Sequence, residues 1–330
     1  MSQVGIALFN PNQLLLMLEK EPNHKPHILP YQEALFDRLC ATARAVLYTK
    51  RCGPIRLKNA FMLLGGSGLG KTFLARQLAQ EMGGLPFLSI SVSDWLLLGS
   101  RGTATWPAIF DFIERSANQS GAIIYLDELE KCGSDQSNSS PWCAFLRCEV
   151  FSLLDSRIPF NINDLDGDPL PRSRVEEVRQ FLEKRIMIVA GAAFQDIWEE
   201  RAKPSMGFIE DETREVVPDW NDLVRIVGRE TINRFSSELF ILPELTAADY
   251  HQMVDAMACH VGEMWRAKFL ELGHARIAIA LDHKKGARYL EEILLAAIME
   301  ERARMANFVP SAIPSERMEE KREWPGLQIS

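Results

Sequence analysis

GGSGLGKT, residues 65–72, decides how this chain is read. It satisfies G-x(4)-G-K-[ST], a pattern in which glycines permit a tight backbone turn and successive amides point into one concavity. A helix that opens at the lysine adds the positive potential of its amino terminus. The flanks have the matching texture. FMLLG (61–65) is a short apolar run ending in glycine, and residues 72–82 carry Phe73, Leu74, Leu78 and Met82 at helical spacing. Strand, turn and helix in that order predict a cradle for nucleotide phosphates, formed by Gly65, Gly66, Ser67, Gly68, Leu69 and Gly70. Lys71 is then expected to reach the β and γ oxygens, and the Thr72 hydroxyl to hold Mg²⁺.

Outward from this turn, strand-like and helix-like segments alternate. A long helical pattern over 31–48 follows Pro22, Pro26 and Pro30. Residues 85–92 read as a strand, 106–115 as a helix, AIIYLD (122–127) as a buried strand, 144–154 as a helix and IMIVAGAAF (186–194) as another buried strand. A polar, proline-containing insertion is expected over 161–174. Continuous apolar runs suit central parallel strands covered on both faces, so the pattern predicts an α/β fold with a parallel sheet flanked by helices. The character changes at Thr246, where TAAD offers a helix cap with Asp249 three positions on. Helical periodicity runs to about residue 272, 276–281 reads as a short strand, and 286–305 is again helical. The expected organisation is an N-terminal extension (1–26), an α/β nucleotide-binding domain (27–244), a small, mostly helical lid domain (245–306) and a loosely ordered tail (307–330).

The partner of the phosphate turn is AIIYLDE, 122–128. An acidic pair at the carboxyl end of a buried strand faces the same crevice as the turn, and the two are expected to come from adjoining strands. Asp127 is predicted to hold Mg²⁺ through water and Glu128 to polarise an attacking water.

Composition bounds the alternatives. The 330 residues allow about two domains, and 47% hydrophobic with 25% charged content excludes collagen-like, disordered and disulfide-dense classes. A net charge of −8 argues against a broad cationic surface for nucleic acid, although a local basic patch stays open. The six cysteines form no close C-x2-C pair, and the histidines show no regular metal spacing. NDLDGD (163–168) lacks the ligands of a calcium loop at its ends. No stretch reaches the roughly 18–20 uninterrupted apolar residues of a membrane span. A soluble, cytoplasmic protein without a membrane partner is expected.

With both motifs in place, the chain resembles the AAA+ ATPases, and in particular the ClpX and HslU branch of protein unfoldases, over roughly residues 27–305. The resemblance implies a P-loop NTPase fold with a helical lid, ATP and Mg²⁺ as ligands, ATP hydrolysis, and assembly into a homo-oligomeric ring, expected to be a hexamer. HILPYQEAL (27–35) is similar to the segment that packs on adenine, which puts Ile28 and Leu29 beside the base or, equally, in the core. IVAGAAFQDIWE (188–199) resembles the glycine- and alanine-rich sensor-1 strand of that branch. GRETINRFSSELFILPELT (228–246) resembles the segment that carries the arginine finger, with Arg234 at the matching position and Arg229 the nearest alternative. KKGAR (284–288) resembles the sensor-2 motif, so Arg288 is expected to touch the phosphates in cis.

Other positions depart from that branch. Where it carries a pore aromatic this chain reads GSRG (99–102), with Ser100 in the aromatic's place and Arg101 beside it. A ring of Arg101 side chains could bind phosphate backbones or acidic peptide, and a solvated loop charge is the alternative. Met206, Gly207 and Phe208 stand at the peptidase-docking tripeptide in a shorter, acidic loop, so a ClpP-like peptidase is not expected as a partner. Residues 1–26 contain no cysteine, so the ClpX zinc-binding domain has no counterpart there. The expected function is a Mg·ATP-hydrolysing ring that remodels or unfolds a protein partner. A nucleic-acid-associated loader or mobile-element ATPase is the second reading, and a nucleotide-dependent switch or scaffold the third.

Overall fold

The apolar runs form the middle of a five-stranded parallel sheet: β1 (Ala60–Leu64), β2 (Phe87–Ser91), β3 (Ala122–Asp127), β4 (Ile186–Ala192) and β5 (Leu239–Ile241). Their order is β2-β3-β4-β1-β5. This computed structural model describes residues 28–49, 57–95, 105–133, 141–159, 172–202 and 217–307. β1 and β4 are buried at every position and β3 at all but its terminal Asp127, as a sheet covered on both faces requires.

Alternate strand residues enter two separate cores. Phe61, Leu63, Ile123, Tyr125, Met187 and Val189 pack under α1 (Glu33–Tyr48) and α2 (Lys71–Glu81). Met62, Leu64, Ile124, Leu126, Ile188 and Ala190 pack on the other face. There they meet α3 (Trp106–Ser116), α4 (Pro141–Leu154), α5 (Arg172–Arg185), α6 (Gln195–Ala202) and α7 (Trp220–Val227). Trp95 and Trp106, each 1% exposed, belong to this second core. The architecture is therefore the expected α/β sheet flanked by helices. One turn of helix, α8 (Arg229–Ile232), leads toward β5.

Two sequence expectations are corrected. The phosphate turn and the acid pair do not come from adjoining strands, because β4 runs between β1 and β3. Residues 276–281 form no strand: they belong to the helix α11 (Ile277–Asp282). There the alternation of Ile277, Ile279 and Leu281 with alanines imitates a strand, yet Ile277 and Ala280 are buried at helical spacing and Ile279 is 51% exposed.

The remaining helices, α9 (Ala247–Ala258), α10 (Glu263–Ala275) and α12 (Arg288–Asn307), join α11 around a third core that includes Tyr250, Met253, Phe269, Tyr289 and Ile293. At the start of α9 the Asp249 amide donates to Thr246 Oγ1 at 3.3 Å, and the Thr246 amide donates to Asp249 Oδ2 at 2.7 Å. This reciprocal cap satisfies amides that the first helical turn leaves free. The expectations for 1–26, Ser100, Arg101, Met206, Gly207 and Phe208 lie outside the described residues, as do 161–171 of the insertion and 308–330 of the tail.

Candidate functional site

The loop after β1 turns on glycines. Gly68 and Gly70 adopt φ of 82° and 83°, a left-handed conformation open to glycine without a side-chain clash, and Gly70 caps α2. Lys71 follows, 9% exposed, its Nζ donating to the carbonyls of Gly65 at 2.7 Å and Gly66 at 3.0 Å. Burial pulls this ammonium below the ordinary lysine range, while the charges of Asp127 and Glu130 work in the opposite direction. The Leu69 carbonyl accepts from the Tyr31 hydroxyl at 2.9 Å and from Gln32 Nε2 at 2.8 Å. Gln32 is completely buried, and its Oε1 accepts from the Leu29 amide at 3.3 Å.

The turn before α1 thus reaches the phosphate loop through Tyr31 and Gln32, residues that sequence reasoning passed over. The available signal was a glutamine among apolar neighbours. Ile28 and Leu29 themselves are placed in core packing, Ile28 against the α1 and α2 side and Leu29 in the helical core.

Across β4, the end of β3 meets the start of α2. The Thr72 hydroxyl donates to Asp127 Oδ2 at 3.1 Å, and the Tyr125 hydroxyl donates to Asp127 Oδ1 at 3.2 Å. Gly191 of β4, paired in register with Leu63, makes room for this crossing, because a Cβ there would lie 2.0 Å from the Tyr125 hydroxyl.

Glu128 holds a left-handed backbone at φ 59°, an uncommon state for a residue with a side chain. Its Oε2 accepts from Ser93 Oγ at 2.5 Å, Ser91 Oγ at 2.9 Å and Lys131 Nζ at 2.9 Å. Hydrogen bonds from Ser93 and Lys131 are the main cause that brings this carboxyl down to about 2, with burial opposing them.

The helical core closes over the loop. Ala287 N donates to the Gly68 carbonyl at 2.7 Å, and a Cβ on Gly286 would lie 2.6 Å from Gly68 backbone. Arg288 follows directly. It lines a cleft of about 540 Å³ with Gly66 and Ser67 of the loop, Trp198 of α6 and Tyr250 of α9.

Arg234 is placed elsewhere. Its segment docks at the amino end of β1, where the Ser236 amide donates to the Ala60 carbonyl, whereas the phosphate loop leaves the carboxyl end at Leu64. Five strand residues separate the two by roughly 13 Å. Arg234 Nε donates to Asp155 Oδ1 at 3.1 Å, and its guanidinium lies 4.1 Å from the centre of the Phe151 ring.

Comparison with known proteins agrees with this geometry. Residues 61–145, about a quarter of the chain, match the model of the ATPase family associated with various cellular activities (AAA). That span begins at β1 and contains the phosphate loop, Asp127 and Glu128. Residues 61–145 thus resemble an AAA ATPase domain.

The curated relatives matched are named as ATP-dependent proteins. Over 79 residues the chain is 37% identical to the ATP-dependent zinc metalloprotease FtsH of Acidimicrobium ferrooxidans, which covers 24% of this chain and 11% of that protein. Over 76 residues it is 40% identical to FtsH 1 of Symbiobacterium thermophilum, with 23% and 12% covered. Against FtsH of Myxococcus xanthus the figures are 35% over 86 residues, 26% and 13%. The chain thus spans about an eighth of the length of these relatives. They are FtsH proteins, so the comparison supports the AAA class and not the ClpX and HslU branch in particular.

Within the AAA domain the donor set fits the ligands of that class. The Thr72 hydroxyl and the Asp127 carboxylate are hard oxygen donors 3.1 Å apart, as Mg²⁺ prefers. Among the described residues no group of three or more His, Cys, Asp or Glu converges as a metal site, and no helix is long and apolar enough to cross a membrane.

Proposed function

We propose that the chain binds and hydrolyses Mg·ATP at the cleft between the phosphate loop and the helical core, works as a ring of identical subunits, and remodels a protein partner. The observation that carries this reading is the hydrogen bond from Thr72 to Asp127, which brings the loop and the acid together across an intervening strand.

Each residue then has a physical task. The amides of Gly68, Gly70 and Lys71 and the amino terminus of α2 offer positive potential to phosphate oxygens. Lys71, already desolvated, adds a full charge at low hydration cost. Thr72 and Asp127 would hold the metal, which would supply positive charge to offset that of the phosphates. Glu128 orients water once its grip on Ser93 and Lys131 loosens. Arg288, across the loop from α2, touches phosphate from the helical side and links nucleotide state to the position of α12.

Arg234, at the opposite end of β1, is too far from its own loop to serve it. A role for its guanidinium in stabilising phosphoryl charge requires a neighbouring subunit, and this supports the ring. A hinge near residues 243–246, between the α/β domain and the α9–α12 core, would let that core act as the lid. The finer placement in the ClpX and HslU branch rests on the resemblance of the segment 188–199.

ATPase measurements on the purified chain test the reading. Turnover is expected in the wild type, with retained nucleotide binding and lost hydrolysis in Glu128→Gln. A wild type that binds no nucleotide sinks the reading. Stimulation by a candidate protein in the absence of DNA supports remodelling, and stimulation by DNA alone counts against it.

A further inference from the structure

Three acids leave the end of β3, and the reading above uses two. The third, Glu130, lies in the short turn of helix Leu129–Cys132 that begins at Glu128. Its Oε2 accepts a hydrogen bond at 3.3 Å from the amide of Ala193, which follows β4. It is near enough to Lys71 for the two charges to interact, and burial raises its carboxyl above the ordinary range.

The strand end it holds has no polar side chain of its own. β4 finishes Gly191-Ala192 and is followed by Ala193, and no larger residue fits at Gly191, where a Cβ would meet the Tyr125 hydroxyl. Phe194 comes next at φ 44°, a left-handed conformation that costs a bulky residue on the order of 1–3 kcal/mol. Such a conformation persists only where its surroundings fix it. Here both polar groups of Ala193 are held by side chains: the amide by Glu130, and the carbonyl by Trp198 Nε1 at 3.0 Å. The Phe194 carbonyl in turn accepts the amides of Ile197 and Trp198 that open α6. Trp198 forms part of the cleft wall.

A chain of contacts therefore runs from the acid-rich end of β3, through the Ala193 backbone and the strained Phe194, to the wall of the nucleotide cleft. We propose that Glu130 is a positioning residue for hydrolysis: through the Ala193 amide it fixes the end of β4 and the start of α6, supplying from the turn after β3 the polar side chain that the end of β4 lacks. The proposal rests on the ATPase reading of the same cleft. It gives Glu130 no contact with substrate. Its work is to keep Ala193, Phe194 and Trp198 in the one arrangement that shapes the cleft beside Gly66 and Ser67 of the phosphate loop. Displacement of that wall by about 1 Å would lower the rate of a geometry-sensitive step by about 100-fold, with less effect on binding.

The test uses the full chain and compares wild type with Glu130→Ala, Glu130→Gln, Glu130→Asp and Glu128→Gln. ATPase kinetics, the Kd of a fluorescent ATP analogue and thermal unfolding are measured for each. Glu130→Ala is expected to lower kcat about 10- to 100-fold, with KM and Kd within about threefold of wild type. Glutamine keeps both the reach and an acceptor oxygen, so Glu130→Gln is expected to recover kcat to within about threefold of wild type. Aspartate keeps the charge but loses the reach, so Glu130→Asp is expected to resemble alanine. A wild-type kcat in Glu130→Ala overturns the proposal, as does a loss of nucleotide affinity equal to the loss of rate. If Glu130→Ala does not fold, the order of the other two decides: Gln above Asp supports positioning through the hydrogen bond, and Asp at or above Gln overturns it. A wild type that binds no nucleotide and turns over no ATP removes the ATPase reading and this proposal with it, a result distinguishable because it does not involve Glu130; lost turnover in Glu128→Gln shows that the measured activity is the chain's own.

Discussion

The Tyr125 hydroxyl occupies the space that a side chain on Gly191 would fill, 2.0 Å from the position of its Cβ. Through that gap in β4, Tyr125 donates to Asp127 and lies 3.4 Å from the Thr72 hydroxyl. The absence of one side chain in a buried strand therefore determines whether two non-adjacent strands can build one site. Gly191→Ala is expected to push Tyr125 out of position, destabilise the fold by about 1–3 kcal/mol and weaken ATP turnover. Adding Tyr125→Phe removes the nearest atom and should restore part of the stability. Urea unfolding of the single and double variants checks this, and an unchanged midpoint in Gly191→Ala would count against the steric account.

Gln32 offers a test of the loop's support. Replacement by leucine leaves the Leu29 amide and one bond to the Leu69 carbonyl unmade in a fully buried place. A loss of about 1–3 kcal/mol in stability is expected, together with weaker nucleotide binding, because the Leu69 carbonyl lies within the phosphate loop. Urea unfolding and titration with a fluorescent ATP analogue measure the two effects.

The grip on Glu128 makes a pH prediction with a definite sign. Ser93 and Lys131 stabilise the ionised carboxylate, so its folded value of about 2 lies below the ordinary 4.5. Its contribution to stability is therefore complete above about 4.5 and fades as the pH falls toward 2. Ser93→Ala should shrink that acid-side dependence, seen as a smaller fall in thermal midpoint between pH 5 and 3, on the order of a single titrating group. The same substitution makes Glu128 more basic and less restrained, and ATP turnover at neutral pH is expected to rise by about two- to fivefold. A fall in turnover would mean that Ser93 orients the carboxylate productively.

Arg234 can be examined by mixing. Alone, Arg234→Ala should cost the fold only about 1 kcal/mol, the loss of a partly exposed pair with Asp155 and of its contact with Phe151. Its ATPase should fall much further. Mixing Arg234→Ala with Glu128→Gln subunits should recover part of the activity, since some sites then receive an intact Glu128 from one copy and an intact Arg234 from the next. If the mixture stays as inactive as its parts, the guanidinium does not act between subunits.

The residues themselves determined what depends on near neighbours in the chain. The left-handed turns at Gly68 and Gly70, the buried apolar runs of the central strands and the cap that joins Thr246 to Asp249 follow from local sterics, periodicity and hydrogen bonds three residues apart. The same local reasoning failed at 276–281, where alanines let a helix imitate alternation. Tertiary structure alone decided that Gln32 reaches Leu69, that Glu130 holds Ala193, that Arg234 pairs with Asp155 and that β4 separates β1 from β3. Those pairs lie 37, 63 and 79 residues apart, and their meeting depends on the order in which strands enter the sheet. Strand order minimises exposed apolar area across the whole chain, a sum over distant contacts that no local pattern encodes.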